Sequence, residues 1–437
     1  MGSIIIGSVP IHGHVTPLLA VARHLVARGD RVRFLTGARF AEAVSATGAT
    51  HLPLPPDADF DDRADLHERF PQRASLKGVK ALAFDIEHVF IDPGRPQHDA
   101  VMAAHRAEAA DVVLADPAFA GGAFLLGHPP AQRPPVVVCG VLPLSLASRD
   151  TAPYGTGLTP ARWLNRPRNA VLGALSRRIF APVTRIADGI HRDIHGAALP
   201  FPPLDWGRHA DAIVQFTVPA FEYPRADAPG TLHFAGPLSA TGSHAPLPDW
   251  WADLDGTRPV VHVSQGTIAN KDYGQLIAPT LEALADDDVH VVVSTGGRPL
   301  DTLPPLPANA RAAEYLPYDE LLPRTDVFVT NGGYGGVQYA LRYGVPIVAT
   351  GGKEDKPEVG ARVAWSGVGR RIRTEHPSPR ALRRAIRGVL GVPKYREASR
   401  RIAADMAAAP GFDGLTAVID ELTGSRSGTV VCQPVRS

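Results

Sequence analysis

Cysteine and net charge are both scarce in this chain, and each shortage excludes a class of protein. The 437 residues hold two cysteines, Cys139 and Cys432, which argues against a disulfide framework or a cysteine metal site. Cys139 lies in an apolar run, where we expect a core residue. The net charge of +1 offers no electrostatic footprint for nucleic acid or for an acidic membrane surface.

Long hydrophobic runs and targeting signals are also missing. The longest apolar stretch, residues 136–147, is too short to span a bilayer and contains Pro143. A strand is predicted from residue 3 onward, without a basic leader or a cleavage site before it. We therefore predict a cytoplasmic protein with no membrane span and no signal peptide. The first loop, residues 7–14, lacks G-x-G-x-x-G, which weakens an NAD or FAD interpretation.

The chain does contain two successive series of strands and helices. Its length and its hydrophobic content of 44% favour two domains of about 200 residues in a soluble enzyme. Residues 3–7 form the first strand, and Pro17 is expected in the first turn of the following helix. The alternation of strands and helices predicts an α/β fold with parallel, doubly wound sheets.

A change of composition marks the domain boundary. Residues 218–258 are rich in Pro, Gly and Ser and are typical of an interdomain linker, after which the strand and helix pattern restarts at Pro259. We predict an N-terminal domain over residues 1–217, a C-terminal domain over residues 259–423 and a disordered tail over residues 424–437.

The most informative stretch is TNGGYGGVQYALRYGVPIV, residues 330–348. It predicts a glycine-rich turn after a buried strand, then a short helix ended by Gly344, then another buried strand. The first turn of such a helix exposes unpaired N–H groups at its positive dipole end, which suits a diphosphate.

Several motifs, in the same order along nearly the whole chain, resemble family 1 glycosyltransferases, which include the macrolide and natural-product glycosyltransferases of bacteria. GHVTPLLAVA, from Gly13, is similar to the G-H-x-x-P start of that family. Other matches are Val218-Pro219, Pro224-Arg225, FAGPL from Phe234, YLPY from Tyr315, the glycine-rich turn and Glu354-Asp355-Lys356. The resemblance implies the GT-B fold, with two facing Rossmann-like domains, acceptor in the N-terminal one and donor in the C-terminal one.

The resemblance also implies a catalytic pair. The histidine of G-H-x-x-P, here His14 and not His12, is the general base of the family, and Asp116 after a later strand is its orienting partner. An imidazole can remove the proton of an acceptor hydroxyl near neutral pH, and a carboxylate stabilises the imidazolium. From position alone the two histidines are equally compatible with a loop that faces water, and Asp116 with a helix cap before Pro117.

The implied donor site lies in the second domain. Tyr315 would stack on the nucleobase, the backbone of Leu316 would recognise its edge, and glycine N–H groups and hydroxyls would hold the diphosphate in place of a metal. Asp355 and Lys356 would bind the sugar. The predicted donor contacts are Ser264, Thr267, Tyr315, Leu316, Asn331, Gly332, Gly333, Gly335, Gly336, Asp355 and Lys356, with no metal ligand and no cofactor.

Four positions depart from the family pattern. Asn331 replaces the usual phosphate-binding histidine, and Gly336 replaces a serine or threonine in the same turn. Tyr339 stands where the family has a ribose-binding glutamate. Lys356 replaces the glutamine of an Asp-Gln pair that holds sugar hydroxyls. Recognition of the donor sugar is therefore expected to differ from the usual pattern.

We predict an inverting, metal-independent glycosyltransferase that moves a hexose, with glucose favoured, from a UDP- or dTDP-sugar to a hydroxyl. The acceptor would be a small lipophilic natural product of macrolide, polyketide or flavonoid type. Two alternatives stay open at this point: a GT-B sugar-nucleotide epimerase, and a non-catalytic nucleotide-sugar-binding auxiliary protein.

Overall fold

The computed structural model describes residues 1–64, 66–239 and 245–424. Its strands are β1 (Ser3–Gly7), β2 (Arg31–Thr36), β3 (Thr50–Pro53), β4 (Val112–Ala115), β5 (Val136–Gly140), β6 (Ala212–Gln215), β7 (Leu232–Phe234), β8 (Val260–Ser264), β9 (His290–Ser294), β10 (Ala310–Ala313), β11 (Val327–Thr330), β12 (Ile347–Ala349) and β13 (Gly369–Arg371).

The α-helices are α1 (His12–Ala27), α2 (Ala41–Ser45), α3 (Leu66–Arg69), α4 (Gly78–Asp85), α5 (Gly94–Ala107), α6 (Gly121–Leu125), α7 (Asn165–Ile179), α8 (Ala181–His195), α9 (Ile277–Leu284), α10 (Tyr318–Leu321), α11 (Tyr334–Arg342), α12 (Lys356–Trp365), α13 (Pro379–Leu390), α14 (Pro393–Ala408) and α15 (Gly411–Thr423). In the described residues, no single helix is long and apolar enough to cross a membrane, although the bent pair α14 and α15 together meets that length and composition.

Two parallel sheets confirm the predicted fold class. The first has the strand order β3-β2-β1-β4-β5-β6-β7 and the second β10-β9-β8-β11-β12-β13. Each central strand is a nearly continuous apolar run because helices cover both faces of a parallel sheet. Ile4, Ile5 and Ile6 of β1 are fully buried, and the three pack into cores on both sides of the sheet. Cys139 is buried as predicted.

The direction of winding reverses once within each sheet. In the first sheet the chain runs from β1 outward to β3 and then returns to form β4 on the other side of β1. The second sheet repeats this at β8 and β11. A crevice opens at the carboxyl ends of the strands at such a switch point, and ligands of open α/β sheets bind there.

The last helix, α15, returns to the first sheet. Its residues Leu415, Val418 and Ile419 lie in the same hydrophobic core as Ile4 and Ile6. Strand β7, within the predicted linker, pairs with β6 as the edge of that sheet. We retain the division at residues 217 and 258 as a proposal. Of the predicted tail, Gly424 ends α15, and residues 425–437 lie outside the described part of the chain.

One helix begins earlier than predicted. Pro17 was expected in the first turn of α1, but α1 begins at His12 and contains Pro17 in its second turn. The carbonyl of Ile11 accepts hydrogen bonds from the N–H groups of His14 and Val15, which starts the helix ahead of the proline. Pro17 so close to the start removes a single backbone hydrogen bond, and the burial of Val15 and Leu18 offsets that loss.

Candidate active site

A cleft of about 2600 Å³ lies where the two switch points face each other. From the first sheet it is lined by the residues after β1 and β4, and from the second by those after β8 and β11. All but two of the predicted site residues, Asp116 and Gly332, line this cleft. They are His14, Ser264, Thr267, Tyr315, Asn331, Gly333, Gly335, Gly336, Asp355 and Lys356. Leu316 also lines it.

His14 and Asp116 form a buried pair at the first switch point. Strands β1 and β4 are neighbours, so the first turn of α1 and the residue after β4 meet at the same edge. The distance from His14 Nδ1 to Asp116 Oδ1 is 3.1 Å, and the two residues are 7% and 0% exposed. An ionised carboxylate only accepts, so Nδ1 carries the hydrogen, and Nε2 is the nitrogen available to the cleft.

Backbone groups hold the Asp116 carboxylate in place. Oδ2 accepts from the N–H of Val9 at 2.8 Å, and Oδ1 accepts from the N–H of Ala118 at 2.7 Å. Asp116 therefore closes the turn at Pro117 as well as contacting His14. The sequence left two interpretations of Asp116, a capping residue and a partner of histidine. In the structure one side chain makes both kinds of contact.

His12 has different neighbours from His14. Its backbone N–H donates to Asp62 at 2.7 Å, and its Nε2 lies 3.4 Å from Thr16 Oγ1. Burial, with a smaller contribution from Arg39, lowers the pKa of His12. Of these two histidines, His14 is the one with a carboxylate on its ring.

The glycine-rich turn after β11 has the predicted shape. Gly332 has φ +93°, and a Cβ there would lie 2.9 Å from the carbonyl oxygen of Thr350, so only glycine fits without strain. Gly333 is the N-cap of α11, which has no side-chain cap. A Cβ at Gly335 would meet nothing within 4 Å. The first turn of α11 thus presents uncapped N–H groups to open space in the cleft.

The other polar side chains of the second switch point differ in whether they face the cleft or bond to the surrounding loops. Ser264 is buried, and its Oγ accepts from the N–H of Gly266 at 3.2 Å and donates to the carbonyl of Ser294 at 3.3 Å. Thr267 is exposed to the cleft. Asn331 donates through Nδ2 to the carbonyl of Gln265 at 2.8 Å, which joins the two loops of this switch point. Ser264 and Asn331 therefore support the loops that form the site.

Tyr315 and Leu316 face opposite directions. The side chain of Tyr315 is 48% exposed and lines the cleft, with its hydroxyl against Gly297. Leu316 is buried in a core with Leu254 and Val260. The leucine can therefore offer its backbone to a ligand, while the tyrosine ring can offer a face.

Asp355 and Lys356 lie at the start of α12. Burial, helped by the neighbouring Glu354, raises the pKa of Asp355 to about 6, and the charges of Lys356 and His14 act in the opposite direction. His14 therefore lies near enough across the cleft for its charge to act on Asp355. Lys356 Nζ donates to Glu354 Oε2 at 2.5 Å, so its charge is compensated by a glutamate.

A buried charge cluster beside the cleft was not predicted. Arg362 donates to Glu222 at 2.9 Å and to Glu358 at 3.0 Å. Although burial opposes it, the charge of Glu222 raises the pKa of Arg362. Glu358 also accepts from the N–H groups of Gly155 and Gly157, at 3.0 and 2.7 Å. Glu358 and Arg362 are four residues apart, a spacing that brings two side chains together on a helix. Glu222 is 140 positions from Arg362, so no local pattern predicts its contact.

The cluster positions a loop that carries Tyr154. This tyrosine lines the cleft, and its hydroxyl is buried without a hydrogen-bond partner in the part of the chain that the structure describes. Burial, and then the charge of Asp355, raises its pKa, which keeps the phenol protonated. Tyr154 is therefore a hydrogen-bond donor beside Asp355 that sequence motifs did not reveal.

Comparison with known proteins identifies the relatives of the chain. Residues 278–422 match the family model described as Erythromycin biosynthesis protein CIII-like, C-terminal domain. The 4'-demethylrebeccamycin synthase of Lentzea aerocolonigenes is 39% identical over 96% of this chain and 99% of its own length. UDP-glucosyltransferase A1 of Starmerella bombicola is 31% identical over 96% of this chain and 92% of its own length.

A solved structure shows the same fold. The glycotransferase of kitacinnamycin superposes with a TM-score of 0.72 at 23% identity, over 96% of this chain and 98% of its own. At that identity the likeness concerns the arrangement of strands and helices.

Proposed function

The chain belongs to the family 1 glycosyltransferases of the natural-product type, with the GT-B fold, and from this premise we propose its reaction. It is a sugar-nucleotide-dependent glycosyltransferase. It transfers a hexose, with glucose favoured, from a UDP- or dTDP-sugar to a hydroxyl of a small lipophilic natural product. The observation that carries the proposal is the His14–Asp116 pair, which faces the uncapped N-terminus of α11 across one cleft.

In the proposed step, Nε2 of His14 takes the proton of the acceptor hydroxyl. The acceptor oxygen forms a bond to the anomeric carbon as the bond from that carbon to the diphosphate oxygen breaks. Asp116, which is buried and held by two backbone N–H groups, stabilises the imidazolium. Attack opposite the leaving group turns an α-linked donor into a β-glycoside.

The departing nucleoside diphosphate gains one negative charge, on the oxygen that leaves the anomeric carbon, and this charge must be stabilised. The N–H groups in the first turn of α11 and the hydroxyl of Thr267 are the proposed donors, and Ser264 and Asn331 position their loops. Fixed dipoles stabilise a developing anion without reorganisation, so the proposed chemistry assigns no step to a metal. The ring of Tyr315 is the proposed support of the base, and the backbone of Leu316 is the proposed contact to its edge.

Asp355 is the proposed anchor of the donor sugar. A carboxylate with a pKa of about 6 is mostly ionised at neutral pH and accepts hydrogen bonds from two sugar hydroxyls. The pairing of Lys356 with Glu354 explains how a cation is accommodated where the family pattern has a glutamine. Tyr154 adds a donor beside Asp355.

The part of the cleft that is lined by the N-terminal half of the chain suits a lipophilic acceptor. Its wall includes Val79, Leu82, Phe90, Phe180 and Trp206, and Val79 and Leu82 expose about half of their surface. Exposed apolar side chains in a concave site favour a mostly apolar ligand. The cytoplasm stays the proposed location.

The relatives do not favour the two alternatives, an epimerase or a non-catalytic auxiliary protein. One experiment tests all three: the chain is incubated with UDP-glucose or dTDP-glucose, with and without a panel of aromatic and macrolide aglycones, and products are identified by mass spectrometry. We expect a glycoside that forms only with an aglycone. Isomerised donor without acceptor would establish the epimerase, and donor binding without any product across the panel would establish the auxiliary protein.

A further inference from the structure

Four histidines lie together in the first half of the chain, outside the cleft. His98 is on α5, His128 follows α6, and His191 and His195 are on the last turns of α8. One ring nitrogen from each of His98, His128 and His195 lies within 4.8 Å of the other two. None of the four residues lines the cleft. The proposed glycosyl transfer therefore gives this cluster no role.

The hydrogen bonds of the rings fix where their lone pairs are. His98 Nδ1 lies 2.8 Å from Asp99 Oδ1, and His191 Nδ1 lies 2.6 Å from the carbonyl oxygen of Ala197. Both partners only accept, so both Nδ1 atoms carry hydrogens, and Nε2 of each ring is a bare lone pair. By the same argument, His195 Nε2 donates to the carbonyl of Phe124 at 2.9 Å, which leaves its lone pair on Nδ1.

The lone pair of His98 faces another ring of the cluster, and the lone pair of His191 has no hydrogen-bond partner in the described residues. His98 Nε2 lies 2.9 Å from His128 Nε2. His191 is 3% exposed, and its Nε2 has no hydrogen-bond partner within the described residues. The ring of His191 adjoins that of His195, with ring centroids 4.5 Å apart, and both rings lie against Gly127. An unpartnered buried acceptor costs free energy unless something binds it.

We propose that His98, His128 and His195 bind one divalent transition-metal ion, for which Zn²⁺ is the favoured identity, beside the unpartnered ring of His191. Neutral imidazoles suit Zn²⁺, and a tetrahedral site needs ligand nitrogens about 3.4 Å apart at a Zn–N distance of about 2.0–2.1 Å. One ring nitrogen from each of the three residues already lies within 4.8 Å of the other two. Asp99 is the carboxylate behind His98 that orients a ligating histidine.

The cations near the cluster are mostly paired with carboxylates. The nearby cations oppose a metal ion only in part, because Arg95 pairs with Asp99 at 2.8 Å and Arg133 pairs with Asp211 at 2.5 Å. Arg106 is a third nearby cation and lies on α5.

The ion would join three segments behind the acceptor half of the cleft. It would tie α5 and the turn at His128 to the end of α8, whose other end carries Thr184 in the cleft wall. Thr184 and His195 are eleven residues apart, about 16 Å along a helix. The ion is therefore a structural one that fixes α8, separate from the transfer chemistry.

Metal titration of the full-length chain, free of any affinity tag and stripped with a chelator, tests this site. We expect calorimetry to find one Zn²⁺ per chain, a higher melting temperature with Zn²⁺, and a Co²⁺ absorption spectrum of a tetrahedral nitrogen site. His98→Ala and His195→Ala should each weaken Zn²⁺ binding by more than about 100-fold, and Asp99→Asn by about 10-fold.

Two further variants separate the loss of a metal ligand from a general loss of the fold. His88→Ala alters the other group in the described residues that could hold a metal ion, Glu87, His88 and Asp92, and it should leave Zn²⁺ binding by the histidine cluster unchanged. If His98→Ala does not fold, His128→Gln keeps a hydrogen-bonding side chain at a half-buried position. The absence of Zn²⁺ binding, or equal binding by His128→Gln and the unmodified chain, would show that the cluster is a hydrogen-bonded core only.

Discussion

The two switch points of this molecule have the same topology and different chemistry. At β1 and β4 the crevice holds a titratable pair, His14 and Asp116, whose carboxylate is fixed by backbone N–H groups. At β8 and β11 the crevice holds glycines and the uncapped start of α11, which offer fixed dipoles. The fold determines where ligands lie, and the side chains at each position determine whether a proton moves or a charge is held.

The largest expected effect comes from removal of the proton-accepting side chain at the first switch point. His14→Ala should lower kcat by about 10²–10⁴-fold and leave donor affinity nearly unchanged, because the base acts on the acceptor. Steady-state kinetics and calorimetry with the sugar nucleotide measure the two quantities. His12→Ala, which removes a histidine without a carboxylate partner, is the matched control and should keep far more activity.

Asp116→Asn tests the same pair by removal of the carboxylate charge. The variant should fold and turn over slowly, because the imidazolium loses its counter-charge while the turn at Pro117 keeps a side-chain acceptor. An unfolded variant would mean that closing the turn is the main role of Asp116. Full activity of His14→Ala would remove the proposed mechanism.

At the second switch point, two substitutions distinguish the contacts to the sugar from the contacts to the base. Asp355→Ala should weaken binding of the intact sugar nucleotide at least about 10-fold, because each charge-assisted hydrogen bond contributes roughly 1.5–3 kcal/mol. Binding of free UDP should change much less. Tyr315→Ala should weaken both ligands alike, since base stacking contributes about 1–3 kcal/mol to each.

Calorimetric titration of both variants with UDP and UDP-glucose measures the difference. Equal losses for the two ligands in Asp355→Ala would place the sugar elsewhere in the cleft.

The pH dependence of UDP-glucose binding tests the role of Asp355. Its pKa of about 6 means that the carboxylate is ionised above that value and protonated below it. Affinity for UDP-glucose should therefore fall as the pH decreases through about 6, by about 10-fold at pH 5 when only a tenth remains ionised. Binding measured from pH 5 to pH 7.5 tests this. In Asp355→Asn the same series should lose this component, and an unchanged profile would assign the titration to another group.

The smallest expected effect is that of a chelator on the rate. Dipoles at α11 are proposed to hold the diphosphate, so EDTA should change the initial rate less than about twofold. Loss of activity in EDTA that Mg²⁺ restores would contradict this. Removal of an ion from the histidine cluster would appear separately, as a lower melting temperature with the initial rate retained.

Local patterns determined much of this protein. Apolar runs such as Ile4–Ile6 predicted buried parallel strands, and the glycines around Gly332 predicted the turn before α11, because backbone conformation there depends on neighbouring residues. The G-H-x-x-P motif and the end of β4 pointed to His14 and Asp116, which the topology then placed 3.1 Å apart.

Tertiary structure alone decided the contacts between distant parts of the chain. Packing turned the hydroxyl of Ser264 toward Ser294 and joined Arg362 to Glu222. It also collected four histidines spread over residues 98–195 into one cluster. No short-range pattern encodes such contacts, because each depends on how helices and loops from separate segments pack, and the free energy of a buried polar group depends on that packing.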